Sequence, residues 1–181
     1  MWIQTEAAGS ARPGQFISMY TNDGSKLLPR PISICEIDKE GGKLRVVYRV
    51  TGEKTGTEEF SQMKAGDTIP VIGPLGNGFP FEKAEGKKVF LMGGGIGVPP
   101  ILELAKQMEC EKKQIVVGYR DAHTFLKEEF EQAGELYIST EDGSVGTKGN
   151  VMDAIRENAL EADMIYACGP TPMPVSYTHL R

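Results

Sequence analysis

The residues of this chain best suited to bind a phosphate lie in a glycine-rich turn, Gly93-Gly94-Gly95-Ile96-Gly97. The turn follows a short apolar run and precedes a segment of helical periodicity that opens on Pro99 and Pro100, so the sequence predicts a strand, a turn and a helix. Glycines allow close backbone approach, and a helix amino terminus offers N–H groups and a positive dipole end to a pyrophosphate. Because the spacing is not G-x-G-x-x-G, a turn that binds nothing stays an equal alternative.

Asp121 follows the second predicted strand of the same half. Its carboxylate could accept a hydrogen bond from a ribose hydroxyl and disfavour a 2′-phosphate, which favours NAD over NADP. The adjacent Arg120 has the opposite effect. A solvated loop carboxylate is the simpler interpretation.

A second candidate is the segment Arg30-Pro31-Ile32-Ser33-Ile34, on a predicted strand. An arginine can bind a phosphate with a forked pair of hydrogen bonds, and a serine hydroxyl can donate to a flavin ring nitrogen. Residues three apart on a strand point to opposite faces, so Arg30 and Ser33 form one patch only if the strand bends or one contact uses the backbone. An edge strand with both side chains in solvent is the alternative that physics favours.

Three further segments could contact a ligand. Thr55-Gly56-Thr57 precedes a short predicted helix and is a possible phosphate seat or an ordinary helix cap. Asn77, in a turn with Gly78, suits a positive φ and is a binding loop or only a connection. Cys168 ends the last predicted strand, where α/β sheets bind ligands, although a lone cysteine more often only packs.

Composition narrows the class of protein. The 181 residues are 40% apolar and 25% charged with a net charge of −5, and they contain no run of Lys or Arg. We expect a soluble globular protein with no nucleic-acid or membrane partner. Three scattered cysteines suggest no disulfide framework, so a reduced, cytoplasmic protein is expected. His123 and His179 have no partners that indicate a metal site, and we predict no catalytic residue and no metal ligand.

The pattern of predicted elements changes near residue 85. Short β-rich runs precede it, which is typical of a small antiparallel barrel or sandwich, and alternating strands and helices follow it, which is typical of a doubly wound parallel sheet. We predict domains at 1–84 and 85–175 with a linker at 82–86. The predicted strands are Gln15–Tyr20, Ile32–Ile37, Leu44–Val50, Thr68–Ile72, Val89–Met92, Ile115–Tyr119, Leu136–Ile138 and Met164–Ala167.

In combination, six motifs resemble those of the ferredoxin–NADP reductase superfamily, and within it the electron-transfer subunits of bacterial dihydroorotate dehydrogenase B. The resemblance covers most of the chain, from Pro13 to Pro170. The motifs are RPISI (30–34), YRVTGEKTGT (48–57), GPLGNGF (73–79), GGGIGVPP (93–100), EDGSVGTKG (141–149) and CGP (168–170).

The resemblance implies an antiparallel β-barrel domain that binds FAD, followed by an α/β domain that binds NAD. It places Arg30 on the FAD phosphates and Ser33 near flavin N5, and it places Cys168 and Gly169 near the nicotinamide. The complete set of implied cofactor-binding residues is Arg30, Pro31, Ile32, Ser33, Tyr48, Arg49, Val50, Gly56, Thr57 and Asn77 in the first domain, and Gly93, Gly94, Gly95, Ile96, Gly97, Asp121, Cys168 and Gly169 in the second.

The resemblance also implies a hetero-oligomer of pyrimidine biosynthesis. An FMN-containing catalytic subunit oxidises dihydroorotate, and electrons pass through a [2Fe–2S] cluster to FAD and then, as hydride, to NAD⁺. The family binds that cluster through four cysteines after the CGP motif, and no cysteine follows Cys168 here. We therefore expect a fragment that cannot ligate the cluster, with the first barrel strand clipped and a tail, 176–181, that does not match the family.

Two other functions stay open at this stage. The chain could be a subunit of a related NAD(P)H:ferredoxin or sulfhydrogenase-type reductase, which shares the two-domain plan. It could also be a non-catalytic binding module whose glycines only shape turns.

Overall fold

The computed structural model describes residues 1–169, so the predicted tail at 176–181 lies outside the described residues. The chain divides into two compact units, an amino-terminal unit of residues 1–78 and a carboxyl-terminal unit that begins at Phe79. The domain ranges 1–84 and 85–175 stay predictions.

The amino-terminal unit is an open antiparallel sheet with the strand order β1-β4-β3-β2-β5. Alternate side chains of its strands face a buried core, which includes Ile17, Leu44 and Phe60. This half-barrel confirms the predicted antiparallel class. Its elements are β1 (Trp2–Gln4), β2 (Phe16–Met19), β3 (Arg30–Asp38), β4 (Lys43–Val46), β5 (Val71–Leu75), the helix α1 (Gly56–Gln62) and a 3-10 helix at Glu6–Gly9.

Two strand predictions in this unit were wrong in position, and a third strand was not predicted. The strand predicted to run to Val50 ends at Val46, and β5 begins three residues later than predicted and includes Pro74. A proline is tolerated there because β5 is an edge strand, where a missing N–H breaks no ladder bond. Trp2–Gln4, for which no strand was predicted, pairs with β4. Three residues are too few to show the alternation by which strands are recognised.

The carboxyl-terminal unit contains a parallel sheet with the strand order β10-β6-β7-β8-β9, which confirms the α/β prediction. Its strands are β6 (Lys88–Gly94), β7 (Lys112–Tyr119), β8 (Glu135–Thr140), β9 (Thr147–Lys148) and β10 (Met164–Cys168). Its helices are α2 (Pro99–Gln107), α3 (Lys127–Ala133) and α4 (Val151–Glu157), with 3-10 turns at Phe81–Ala84 and Gly95–Gly97.

The order of this sheet reverses at β6. The chain runs outward from β6 through β7, β8 and β9, and then returns to place β10 on the other side of β6. Gly93 of β6 lies opposite Cys168 of β10 in the parallel register. Open α/β sheets bind ligands beyond the carboxyl ends of strands at such a reversal, so the fold brings two predicted binding segments to the expected place.

The prediction missed α3 and β9. Helix α3 begins after Leu126, whose φ is 65° and which provides no side-chain cap, so its start carries no sequence signal. Strand β9 has only two residues. Among the described residues, no helix is both long enough and apolar enough to cross a bilayer.

Candidate functional site

The glycine-rich turn joins β6 to α2, and its residues fall into two groups. Gly93 and Gly97 are buried, whereas Gly95 and Ile96 are exposed. Gly95 has a φ of +54°, and a side chain there would meet open space. The exposed part of the turn is therefore the part that a ligand can reach.

Helix α2 supplies fewer donors to this site than its position suggests. Its first two residues, Pro99 and Pro100, have no N–H, and the N–H of Ile101 donates to the carbonyl of Val98 at 3.1 Å. The N–H of Val98 donates to the carbonyl of Gly95 at 3.2 Å. The expected N–H groups of the first helical turn are therefore absent or already used. A phosphate here would depend on the N–H groups of the turn itself and on the helix dipole.

Cys168 ends β10 and Gly169 follows it, beside the glycine turn. Burial raises the pKa of the Cys168 thiol above its ordinary value, so the group is a neutral thiol near pH 7. A neutral, half-buried thiol is a poor nucleophile and a small polar packing group. Cys168 can line a binding site without taking part in covalent chemistry.

Asp121 lies beyond the carboxyl end of β7 and is held by its neighbour. Its Oδ1 accepts hydrogen bonds from the His123 backbone N–H at 2.9 Å and from the His123 ring Nδ1 at 2.7 Å. These bonds lower the pKa of Asp121, so it is ionised at neutral pH. Sequence reasoning gave His123 no role; the signal that could have identified it is the Asx turn, in which an aspartate accepts from the N–H two residues on.

The EDGSVGTKG motif forms a tightly bonded loop after β8. Asp142 Oδ1 accepts from the N–H and hydroxyl of Ser144 at 2.9 and 2.6 Å, and the Thr140 hydroxyl donates to the carbonyl of Val145 at 2.9 Å. The bonds from Ser144 lower the pKa of Asp142, while the nearby charge of Asp121 acts in the opposite direction. Two carboxylates therefore lie at the adjoining ends of β7 and β8, an arrangement that sequence reasoning missed because it depends on strand order.

In the amino-terminal unit, Arg30 and Gly56 lie together. A side chain built on Gly56, the first residue of α1, would lie 3.2 Å from Arg30 Nε and 3.3 Å from its Cζ. Arg30 Nη1 also donates to the carbonyl of Leu28, which holds the guanidinium beside the helix. The side chain of Thr55 caps α1 by accepting from the N–H of Glu58 at 3.2 Å. Gly56 itself is buried, so the guanidinium beside it is the group best suited to bind a phosphate here.

Thr57 is buried, and its hydroxyl is used within the protein. It accepts from the Thr51 N–H at 3.2 Å and contacts the Thr55 hydroxyl at 3.1 Å. Any contact of Thr57 with a ligand would therefore use its backbone rather than its side chain.

Strand alternation separates Ser33 from Arg30. The register of β3 against β2 is regular from Arg30 to Ser33, and Ile32 packs on the core of the unit. Arg30 shares the face of Ile32, whereas Pro31 and the half-buried Ser33 lie on the other face. The structure does not bring the Arg30 and Ser33 side chains into one patch.

The remaining predicted residues of this unit are distributed around it. Tyr48 follows β4 and packs edge-to-face on Phe60, with ring centroids 6.1 Å apart, and burial raises its pKa. Arg49 and Val50 are exposed, and Asn77 is exposed in the loop after β5. Of the predicted residues, only Tyr48 lines the cavity of about 970 Å³ between β1 and the segment that follows α1. That cavity excludes Arg30 and Gly56, so its volume is no support for a flavin site.

The fold and the sequence both match known reductases. Residues 91–178 match the oxidoreductase NAD-binding domain family. A solved NADH-dependent reduced ferredoxin–NADP oxidoreductase superposes with a TM-score of 0.84 at 34% identity, covering 98% of this chain and 64% of its own. A ferredoxin reductase of carbazole 1,9a-dioxygenase, at 20% identity and a TM-score of 0.79, shares the fold over 99% of this chain and 58% of its own. The class is therefore a ferredoxin–NADP reductase-like protein with an NAD-binding domain.

Curated relatives narrow this class. The dihydroorotate dehydrogenase B (NAD(+)) electron transfer subunit of Bacillus caldolyticus is 46% identical over 167 residues, which cover 90% of this chain and 64% of that protein. The subunit of Geobacillus sp. (strain WCH70) is 47% identical over 168 residues, 89% of this chain and 64% of that protein. This chain is similar to these electron-transfer subunits over most of its own length, as the motifs predicted. It spans 64% of the length of these relatives.

Proposed function

We propose that this chain forms the FAD- and NAD-binding part of an electron-transfer subunit, which exchanges electrons between a dihydroorotate dehydrogenase catalytic subunit and NAD in pyrimidine biosynthesis. One observation carries the proposal. In the unit matched to NAD-binding domains, the glycine turn and Cys168–Gly169 lie side by side at the strand-order reversal. We also propose that residues 1–84 hold FAD and residues 85–175 hold NAD.

The carboxyl-terminal unit would bind the dinucleotide through its backbone. The exposed segment Gly95–Ile96 would donate N–H groups to the pyrophosphate, and Cys168 with Gly169 would line the nicotinamide pocket. Because the Cys168 thiol is neutral, it would not add a charge beside a nicotinamide ring that changes charge during hydride transfer.

Two carboxylates support a preference for NAD over NADP. Asp121 and Asp142 are held ionised by hydrogen bonds at the adjoining ends of β7 and β8. A 2′-phosphate bound near them would meet like charge, whereas a ribose hydroxyl could donate to either. We propose that Asp121 accepts from the ribose and that both carboxylates disfavour the phosphate.

The amino-terminal unit would bind FAD through Arg30. The guanidinium beside Gly56 fits a pyrophosphate, and the backbone of Gly56 and Thr57 would complete the contact. Pro31, Ile32, Ser33, Tyr48, Arg49, Val50 and Asn77 remain proposed neighbours of the flavin. When bound, FAD would allow both single-electron transfer and hydride transfer. No side chain is required as a proton donor for hydride transfer.

The cysteines of this chain do not fit an iron–sulfur cluster. Cys35 is buried in β3, Cys110 and Cys168 lie in the other unit, and the described residues include no cluster of metal-ligating side chains. The family cluster needs four thiolates, so no step of this proposal passes through it.

An anaerobic absorption spectrum of the chain with FAD, before and after NADH is added, tests the proposal. Bound flavin that bleaches with NADH is the expected result. Bound flavin whose absorption does not change with NADH would contradict the NAD assignment. Failure to bind flavin in a folded sample would favour a non-catalytic binding module.

One observation favours a second function. The solved NADH-dependent reduced ferredoxin–NADP oxidoreductase covers nearly the whole chain at 34% identity. A subunit of that kind would carry electrons between NADH and a ferredoxin-linked partner. Mixing the NADH-reduced chain with each purified partner separates the two functions, because only the physiological partner should reoxidise the flavin rapidly.

A further inference from the structure

Gly97 fills the space between the glycine turn and the end of β10. A Cβ built on Gly97 would lie 2.3 Å from the carbonyl oxygen of Cys168, 2.5 Å from its carbonyl carbon and 2.7 Å from Gly169 Cα. All three atoms belong to backbone, which cannot rotate away as a flexible side chain can. Any residue larger than glycine would therefore separate the turn from β10.

Gly93 and Gly95 of the same turn do not make this contact. A side chain on Gly95 would meet nothing within 4 Å, and one on Gly93 would lie 2.9 Å from Val98 Cα, within the turn itself. Gly93 and Cys168 are already neighbours in the β6–β10 register. Gly97 adds a second contact between the same two segments, further along the chain than Gly93. This contact fixes the backbone at the carboxyl end of β10.

We propose that Gly97 is a positioning residue, whose missing side chain holds the Cys168–Gly169 backbone in place to receive the nicotinamide. The proposal rests on the proposed NAD-binding function. Gly97 acts by packing rather than by contact with the dinucleotide pyrophosphate. Its role therefore differs from that of Gly95, although both belong to one motif.

An alanine at position 97 would displace Cys168 and Gly169 by roughly 1 Å to restore normal contact distances, and a shift of that size can lower a reaction rate by about 10²-fold. In Gly97→Ala we expect bound FAD to be reduced by NADH roughly 10- to 100-fold more slowly, while FAD binds as in the wild type. We also expect a changed rate of alkylation at Cys168 and an unchanged rate at Cys110.

The experiment combines anaerobic stopped-flow reduction by NADH with iodoacetamide labelling of each cysteine, read by peptide mass spectrometry. Gly9→Ala is the matched control, since a side chain there would meet nothing within 4 Å. Gly86→Ala is a second control for the labelling arm, in the same unit as Cys168, because a side chain there would also meet nothing within 4 Å. A merely structural role for Gly97 would lower thermal stability without altering either rate.

The outcomes separate this inference from the function on which it rests. If NADH does not reduce wild-type flavin, the proposed function is wrong, whatever the variants do. If the wild type is reduced and Gly97→Ala matches it in reduction and in Cys168 labelling, the inference is overturned. Should Gly97→Ala not fold, the wild type decides: NAD⁺ must slow the labelling of Cys168, and an unchanged rate would overturn the proposal.

Discussion

The two units present candidate phosphate sites of different composition. In the carboxyl-terminal unit, the turn from Gly93 to Gly97 offers only backbone polar groups, and its geometry depends on its glycines having no side chains. In the amino-terminal unit, the guanidinium of Arg30 lies beside Gly56, so a charged side chain dominates the site. A backbone site fails when atoms are added, and a side-chain site fails when charge is removed. Substitutions that add atoms should therefore damage the first site, and substitutions that remove charge should damage the second.

Adding a single methyl group should be most damaging at Gly146, in the loop after β8. Its φ is +67°, and a Cβ there would lie 2.1 Å from the carbonyl oxygen of Ile138. We expect Gly146→Ala to lower the free energy of unfolding of the carboxyl-terminal unit by about 3 kcal/mol. Hydrogen exchange of the β8 amides measures the loss.

Gly86→Ala is the control for that variant. Gly86 has a similar φ of +66° but open space around it, so only backbone strain of about 1 kcal/mol is expected. Equal losses in the two variants would show that the loss of stability in Gly146→Ala comes from backbone conformation and not from the clash with Ile138.

Removing charge should matter most at Arg30. We expect Arg30→Gln to weaken FAD binding by about 2 kcal/mol, or roughly 30-fold, because charge-assisted hydrogen bonds to a phosphate are lost. Arg30→Lys should recover only part of the affinity, since an ammonium cannot make the forked pair. Fluorescence titration with FAD measures both.

Lys39→Gln, which removes an exposed positive charge from the β3–β4 turn, is the matched control for Arg30. It should leave FAD affinity within twofold, as remote exposed charges are screened by salt. If Lys39→Gln and Arg30→Gln weaken FAD equally, the phosphate site is not at Arg30.

Replacing Asp121 or Asp142 should have a smaller effect than replacing Arg30, and the effect should be on the preference for NADH over NADPH. We expect Asp121→Asn to narrow the preference for NADH over NADPH by roughly two- to fivefold, because Asp121 is exposed and its field is screened. The ratio of kcat/KM values for flavin reduction by NADH and NADPH measures it. A preference that is unchanged in Asp121→Asn and in the double variant with Asp142→Asn would remove both residues from cofactor selection.

The smallest expected effect is a difference in aspartate pKa between two Asp-Gly-Ser turns, one in each unit. Asp23 Oδ1 accepts from the Ser25 N–H and hydroxyl at 2.9 and 2.7 Å, the same pattern that Asp142 makes with Ser144. Asp23 also pairs with Lys26 at 3.2 Å, and the hydrogen bonds from Ser25 with those from Lys26 lower its pKa to about 2. Asp142 instead faces Asp121.

Titration by NMR should therefore find a lower pKa for Asp23 than for Asp142. Lys26→Gln should raise the pKa of Asp23, and Asp121→Asn should lower that of Asp142. Because both folded-state pKa values lie below their unfolded values, the stability that these bonds contribute is present above about pH 4 and is lost as the pH falls towards the folded values. An unchanged pKa in either variant would show that the neighbouring charge has no effect on that aspartate.

The fold was predictable wherever its pattern was local. The alternation of strands and helices after residue 85 identified β6, β7, β8 and β10, and short β-rich runs identified most of the antiparallel sheet. The elements β1, α3 and β9 were missed, because two are strands of three residues or fewer and α3 has no side-chain cap. Their formation depends on partners elsewhere in the chain, which local patterns do not reveal.

The site was predictable as a set of residues and much less as an arrangement. The glycine turn, the arginine and the terminal cysteine could be identified without a structure, because each has a backbone or charge property that a short motif displays. The packing of Gly97 on Cys168 and the proximity of Asp142 to Asp121 became visible only in the folded chain. These relations follow from strand order, register and van der Waals contact between segments up to 71 residues apart, from Gly97 to Cys168, and no local pattern encodes them.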